Sequence, residues 1–211
     1  AIVAIKNFEE DGFLFLTTRN GMVNRLSLSS FKKVRNSGLK AILLKDDDYL
    51  FNAIHTSGSD NILLTSSSGK SILFEETQIR ERSRGTQGVL GIKFNQQHKL
   101  ISSINVKNSQ LIFVTENGFG KKTSHNEYRV TNRGGKGIIG IINSPRNGNI
   151  SSSFPVFDGD EILISTNKGR VIRVAVREIR TAGRNTQGVR IIKLSGEEKV
   201  VSADKIDDNL V

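Results

Sequence analysis

The sequence predicts an all-β fold, an array of four propeller-like blades of four strands each, occupying a chain of 211 residues. Three observations carry that expectation. A glycine follows an apolar run ending in threonine or serine four times, at Gly21, Gly69, Gly118 and Gly169. The intervals are 48, 49 and 51 residues, close to the length of a propeller blade. No segment sustains the 3.6-residue apolar period of a helix.

Taken in order, Ala1-Ile2-Val3-Ala4-Ile5 and the polar turn after it resemble the last strand of a unit, so residues 1–12 are expected to be a partial blade. The full repeats are expected at about 13–54, 60–106, 110–156 and 160–206, in one domain without linkers. Each opens on an apolar strand: Phe13 to Thr17, Ile62 to Thr65, Leu111 to Thr115 and Ile162 to Thr166. A tight hairpin follows, marked by Asn20-Gly21 and Asn117-Gly118, because both residue types tolerate the positive φ such turns need. The second strand alternates. Between Arg170 and Arg177, Ile172, Val174 and Val176 share one face, while Val171, Arg173, Ala175 and Arg177 share the other, as the two-residue period requires. A basic loop comes next, leading to a glycine at the mouth of a short apolar strand, as in Ser37-Gly38-Leu39, Gln87-Gly88-Val89, Lys136-Gly137-Ile138 and Gln187-Gly188-Val189. A polar turn then leads to the closing strand, at Tyr49 to Ile54, Lys99 to Ile104, Asn149 to Phe154 and Lys199 to Ala203. The acidic tail from Asp204 to Asn209 is expected to fray.

Charge is segregated along this plan. The formal net charge is +10. The four stretches 21–38, 69–88, 118–137 and 169–188 hold 18 of the 31 Lys and Arg but only 5 of the 21 Asp and Glu. All of the positive excess therefore lies between the hairpin turn and the glycine-led strand. In a radial array, equivalent positions repeat around the rim, so these loops predict a basic belt for a polyanion. The position four beyond the turn glycine adds to it with Arg25, Lys122 and Arg173, Leu73 being the exception. The candidate contacts are Arg25, Lys32, Lys33 and Arg35 in the first stretch, Arg80, Arg82 and Arg84 in the second, Lys121, Lys122, Arg129, Arg133 and Lys136 in the third, and Arg173, Arg177, Arg180 and Arg184 in the fourth. With two tyrosines, no tryptophan and phenylalanines confined mostly to apolar strands, a base-stacking platform for single strands is disfavoured. Duplex backbone bound with little sequence preference, and weakened by salt through counterion release, is the expected partner.

Other chemistry is missing its parts. The chain has no cysteine, and its three histidines, His55, His98 and His125, lie far apart, so thiolate and clustered histidine metal sites are excluded. Ser68-Gly69-Lys70-Ser71 imitates the end of a phosphate-binding loop, but Leu64 stands where that motif needs its first glycine. Arg133-Gly134-Gly135-Lys136-Gly137 reads as a loop touching a backbone phosphate rather than a nucleotide site. No catalytic constellation and no cofactor are expected. With no apolar run of bilayer length and no signal-like amino terminus, the expectation is a cytoplasmic protein without membrane contact. A propeller-like scaffold for acidic proteins remains an alternative.

Gly183-Arg184-Asn185-Thr186-Gln187-Gly188-Val189-Arg190, Ser83-Arg84-Gly85-Thr86-Gln87-Gly88-Val89 and Thr115-Glu116-Asn117-Gly118-Phe119-Gly120-Lys121-Lys122-Thr123 resemble the later repeats of the DNA gyrase A C-terminal domain. The equivalent C-terminal domain of topoisomerase IV, which selects substrates, is the near alternative. The resemblance runs over essentially the whole chain. It implies a β-pinwheel, whose blades exchange strands with their neighbours and wrap double-stranded DNA around a basic perimeter to support negative supercoiling. It also implies two partners, the catalytic core that continues the same polypeptide and a separate ATPase subunit, with this stretch not itself an enzyme. The family's signature box, glutamine-arginine-arginine-glycine-glycine-lysine-glycine, is matched only in its second half by Thr131-Asn132-Arg133-Gly134-Gly135-Lys136-Gly137. The box-bearing repeat is therefore expected upstream.

Overall fold

A computed structural model describes residues 2–5, 8, 11–34 and 36–206. It is built of β-strands joined by turns, with short 3-10 turns as the helical elements. The first strands of the four repeats are β1 (Phe13–Thr18), β4 (Asn61–Ser66), β8 (Gln110–Thr115) and β12 (Glu161–Thr166). The second strands are β2 (Met22–Ser27), β5 (Lys70–Glu75), β9 (Phe119–Ser124) and β13 (Val171–Ala175). The glycine-led strands are β6 (Val89–Leu90), β10 (Ile138–Ile139) and β14 (Val189–Arg190). The closing strands are β3 (Leu50–Thr56), β7 (Leu100–Asn105), β11 (Ile150–Val156) and β15 (Val200–Lys205).

Gly21, Gly69, Gly118 and Gly169 all turn with φ between +77° and +80°. That left-handed conformation is what glycine supplies without steric cost, so each hairpin forms where its glycine stands. Beyond each second strand the backbone closes a 3-10 turn, at Leu28–Phe31, Glu76–Gln78, His125–Glu127 and Val176–Glu178.

Sheet order shows which repeat each strand serves. The four sheets run β3-β1-β2-β6, β10-β5-β4-β7, β11-β8-β9-β14 and β13-β12-β15. Every glycine-led strand is thus paired to the second strand of the preceding repeat, not to its own. Val89 lies opposite Val23, Ile138 opposite Ser71, and Val189 opposite Gly120. The four strands of a blade are therefore not one continuous stretch of chain, and the exchange between neighbours that the family resemblance implied is present. The strand is too short, at two residues, to hold a register by itself, so the sheet it joins is set by tertiary contact. In the first repeat no strand follows Gly38, and Ile42 makes an isolated parallel bridge with Thr86 in the loop of the next repeat. The expected strand at the amino terminus is absent from residues 2–5, although Val3 packs on a cluster of Leu16, Leu26, Ile42 and Ala53.

Two compact units result. One comprises Ala1–Leu64, Ile72–Asn105 and Val130–Gly137, and the other Thr65–Ser71, Val106–Arg129 and Ile138–Val211. The first has a core of Phe15, Val23, Ile62, Leu64, Ile72, Phe74, Ile79, Ile92 and Leu100. The second has Ile112, Val114, Val156, Ile162, Ile164, Val176, Ile179, Ile192, Val200 and Ala203. In each, residues two apart on a strand share the buried face, and side chains from successive repeats fill one core.

Candidate nucleic-acid interface

The basic loops are held by backbone bonds. In the first unit, the loop leading to Gly88 runs beside β2. The Arg82 N–H donates to the Arg25 carbonyl (3.0 Å), the Gly85 N–H to the Ala41 carbonyl (2.9 Å), and the Leu43 N–H to the Thr86 carbonyl (3.1 Å). A Cβ on Gly88 would lie 2.7 Å from the Val23 carbonyl, so only glycine lets the loop return this close to the strand. The loop leading to Gly137 repeats the pattern beside β5: the Thr131 N–H donates to the Leu73 carbonyl (2.8 Å) and the Gly134 N–H to the Gly91 carbonyl (2.6 Å).

From this frame Arg80 and Arg84 are exposed, as are Lys32, Lys33 and Lys136. The Arg84 guanidinium lies 5.9 Å from the Phe31 ring centre, and Phe31 immediately precedes Lys32 and Lys33 in the chain. Three candidates have other ties. Arg25 stacks on Phe13 at 4.5 Å and donates to the Gly58 carbonyl (3.1 Å). Arg82 donates to the Gln87 carbonyl (3.0 Å). Arg133 donates to the carbonyls of Gln78 (3.3 Å) and Leu90 (2.9 Å), so it fastens its loop instead of hanging freely from it. Arg35 lies outside the described residues.

The second unit corrects two expectations. Lys121 is 0% exposed, and its ammonium donates to the carbonyls of Gly183 (2.6 Å) and Arg184 (2.7 Å). Burial lowers its pKa from 10.5 to about 8, with Glu127 opposing the shift and Arg184 adding to it. Lys122 is 3% exposed and is paired with Asp158. Neither lysine presents charge to a ligand in solution. The alternation of a strand puts consecutive residues on opposite faces, but here both faces are covered: the loop 180–187 lies on one and Asp158 caps the other.

That loop is anchored to β9. The Lys122 N–H donates to the Arg180 carbonyl (2.9 Å), the Ala182 N–H to the Lys122 carbonyl (2.8 Å), and the Thr123 hydroxyl to the Ala182 carbonyl (2.9 Å). Arg129, Arg177 and Arg180 are exposed. Arg173 is exposed and pairs with Glu161. Arg184 is half-buried, donating to the Ile139 carbonyl (3.0 Å) and lying 5.9 Å from the Tyr128 ring centre; burial pushes the Tyr128 phenol up. Lys121, Arg180, Ala182, Thr186, Gly188 and Val189 line a cavity of about 120 Å³. The positions four beyond the turn glycine thus form no row of free charges: Arg25, Lys122 and Arg173 are each engaged.

Two surface arginines join the candidates only in the structure. Arg146 and Arg190 stack on Phe119 at 4.4 and 5.4 Å, and both are exposed. Arg190 lies two residues past Gly188, just beyond the last basic stretch. Its place opposite Phe119 comes from the pairing of β14 with β9, which no local signal in the sequence states. Among the described residues no group of three His, Asp or Glu could hold a metal ion, and no helix is long and apolar enough to cross a membrane.

The family described as "DNA gyrase C-terminal domain, beta-propeller" matches residues 12–57, 60–107, 109–154 and 160–207. The A subunit of DNA gyrase from Chlamydia pneumoniae is 36% identical over 99% of this chain and 25% of its own length. Its counterpart from Mycolicibacterium smegmatis is 38% identical over 99% of this chain and 25% of its own. The chain thus spans about a quarter of these relatives. A solved DNA gyrase A C-terminal domain superposes with a TM-score of 0.84 at 26% identity, over 96% of this chain and 68% of that one. The C-terminal domain of DNA topoisomerase IV gives 0.89 at 26% identity, over 97% of this chain and 65% of that one. The four repeats, their exchanged strands and the family match together place this chain in the DNA gyrase A C-terminal domain family, with a β-pinwheel fold.

Proposed function

We propose that this chain binds and wraps duplex DNA through its basic loops, without sequence preference, as the C-terminal part of a gyrase-type A subunit that supports negative supercoiling. The observation that carries the reading is the pairing of fixed backbone with free charge. Loop main chain is pinned to the preceding sheet, while Arg80 and Arg84 in one unit and Arg129, Arg177 and Arg180 in the other reach solvent. Cations held on a rigid frame lose less conformational entropy on binding than cations on a floppy loop. Arginine's planar fork suits phosphate oxygens.

The parent protein is then an ATP-dependent type II DNA topoisomerase of the cytoplasm. Its catalytic core and ATPase subunit do the chemistry, and this part, needing no cofactor, presents the DNA. Bending a duplex costs on the order of 1–6 kcal/mol, which phosphate contacts must offset.

Fluorescence anisotropy with two unrelated duplexes of equal length tests the reading. Both should bind alike, with log affinity falling linearly in log salt by about 0.9 per phosphate neutralised. Changing Arg80, Arg84, Arg129, Arg177 and Arg180 to glutamate should weaken binding far more than the control Lys45→Glu with Lys107→Glu. Binding that ignores salt, or equal effects from both sets, overturns the loop assignment. No binding at low salt favours an acidic protein partner instead.

A further inference from the structure

The turn between β10 and β11 breaks the plan of the repeats. A four-residue turn precedes every closing strand, its fourth amide donating to its first carbonyl: Asp48 to Lys45 (3.2 Å), His98 to Asn95 (2.9 Å), Asn147 to Ser144 (3.1 Å) and Glu198 to Ser195 (3.1 Å). The third place is exposed each time and holds Asp47, Gln97, Arg146 and Glu197. The third repeat alone puts a cation there. The glycine-led strands depart at the same blade: Leu90 faces Met22 and Ile139 faces Lys70, but Arg190 faces Phe119.

These departures meet. The Arg146 and Arg190 guanidiniums share the Phe119 ring, at 4.4 and 5.4 Å from its centre, and the ring is 6% exposed, so the blade holds it in place. Among the described residues neither guanidinium has a carboxylate or carbonyl partner. Both backbones are fixed. The Asn117 side-chain amide donates to the Pro145 and Arg146 carbonyls (3.2 and 2.9 Å), and Arg190 sits in the ladder of β14 with β9. Lys199 adds a third cation, its ammonium on Asn117 Oδ1 (2.5 Å). The carboxylate of this turn, Glu116, accepts the Asn149 amide (3.2 Å). Stacking occupies the face of a guanidinium and leaves its N–H fork free at the edge. Two like charges drawn to one ring repel each other, and an anion between them removes that cost. Solubility alone would be served by the Asp, Gln or Glu of the other turns.

We propose that Arg146 and Arg190, seated on Phe119, clamp one backbone phosphate of a bound duplex, an anchor at the turn end of β9 outside the basic loops. The inference rests on the reading of this chain as a duplex binder. Loop and clamp suit one DNA strand. The Arg180 carbonyl is bonded to Lys122, three residues along β9 from Phe119, which is about 10 Å at about 3.3 Å per residue. About three nucleotides of one duplex strand cover that length, at about 3.4 Å each.

Arg146→Gln with Arg190→Leu installs the residue types that Gln97 and Leu90 supply at the equivalent places, so the double variant should stay folded. Fluorescence anisotropy across a salt series should show its log–log slope reduced by about 0.9, the share of one phosphate, and alike for two unrelated duplexes. Lys45→Gln with Lys107→Gln removes the same charge and should leave the slope unchanged. Equal slopes for the double variant and the unaltered chain overturn the clamp and leave the loop assignment standing. A fall twice as large means two separate phosphates and overturns the shared seat, and an equal fall in the lysine control reduces the pair to general charge. Phe119→Leu keeps every cation but removes the ring, so a folded Phe119→Leu protein with undiminished affinity overturns the part given to stacking. Inorganic phosphate at fixed ionic strength should displace little duplex; displacement at millimolar phosphate from the unaltered chain but not from the double variant would make a free phosphate the occupant. No duplex binding by the unaltered chain at low salt overturns this proposal together with the reading it rests on.

Discussion

The joint between the first two repeats and the joint between the last two put different chemistry at one position. Three residues beyond the turn glycine, the first unit has Asn24, whose amide reaches the Thr86 carbonyl at 3.4 Å. The second has Lys121, whose buried ammonium holds two carbonyls at 2.6 and 2.7 Å. Both side chains fasten the incoming loop to the second strand, one with a neutral donor and one with a charged donor. A charged hydrogen bond is stronger but carries a desolvation cost. A lysine in a basic repeat can therefore be a structural clamp, and counting it as a ligand contact overstates the available charge. Its neighbours show the converse, since Arg180 keeps its backbone in the joint and its side chain in solvent.

The sharpest way to break this comparison is Lys121→Glu. It would bury a carboxylate against two carbonyls, and a loss of about 3–5 kcal/mol is expected from an uncompensated buried charge. Urea unfolding followed in the second unit measures it, and a loss under about 1 kcal/mol would remove the clamp. Next comes Lys121→Met, which strands two carbonyls at a cost of about 1–3 kcal/mol. It should exceed Asn24→Ala, whose longer bond is worth about 1 kcal/mol or less.

Alkaline pH sharpens the contrast. Because the folded pKa of Lys121, about 8, is below its ordinary 10.5, the unfolded chain binds the extra proton between these values. Stability owed to this group therefore rises with pH across that window. The stability difference between the unaltered chain and Lys121→Met should change from pH 8 to 10 in the unaltered chain's favour, and a flat difference would contradict the lowered pKa. Acid tests a carboxylate clamp in the same unit. The Thr166 hydroxyl, with the Ser195 amide and Arg170, holds Glu198 below its ordinary 4.5. Its contribution is present above the ordinary value and fades as pH falls through the folded one. Glu198→Gln should then differ from the unaltered chain at neutral pH and converge with it in acid. The smallest effect is expected at Arg180→Ala, within about 0.5 kcal/mol in stability; a larger loss would make this arginine structural as well.

Much of this architecture was legible along the chain. The turn glycines, the Asn-Gly hairpins and the alternation of Ile172, Val174 and Val176 encode local conformation, which depends on φ and on a two-residue period. The ownership of the glycine-led strand was not legible in the residues themselves, and strand exchange entered only through the family resemblance. Val89 and Leu90 are adjacent in sequence to their own repeat but bond to Met22 and Val23, and nothing in a two-residue apolar run states its partner. The site divided in the same way. Arg80, Arg84, Arg129, Arg177 and Arg180 reach solvent as the loop charge implied, while Arg133 and Arg184 also serve as loop fasteners.

The sequence by itself determined the number of repeats, their length, where each hairpin turns and where positive charge is concentrated, because these follow from residues close together in the chain. Only the tertiary structure decided that each repeat completes the sheet of the one before it. The same contacts decided that Lys121 and Lys122 lie inside while Arg180 lies outside. Burial depends on which distant segment covers a side chain, and here the cover comes from 62 residues away for Lys121, at Gly183, and 36 for Lys122, at Asp158.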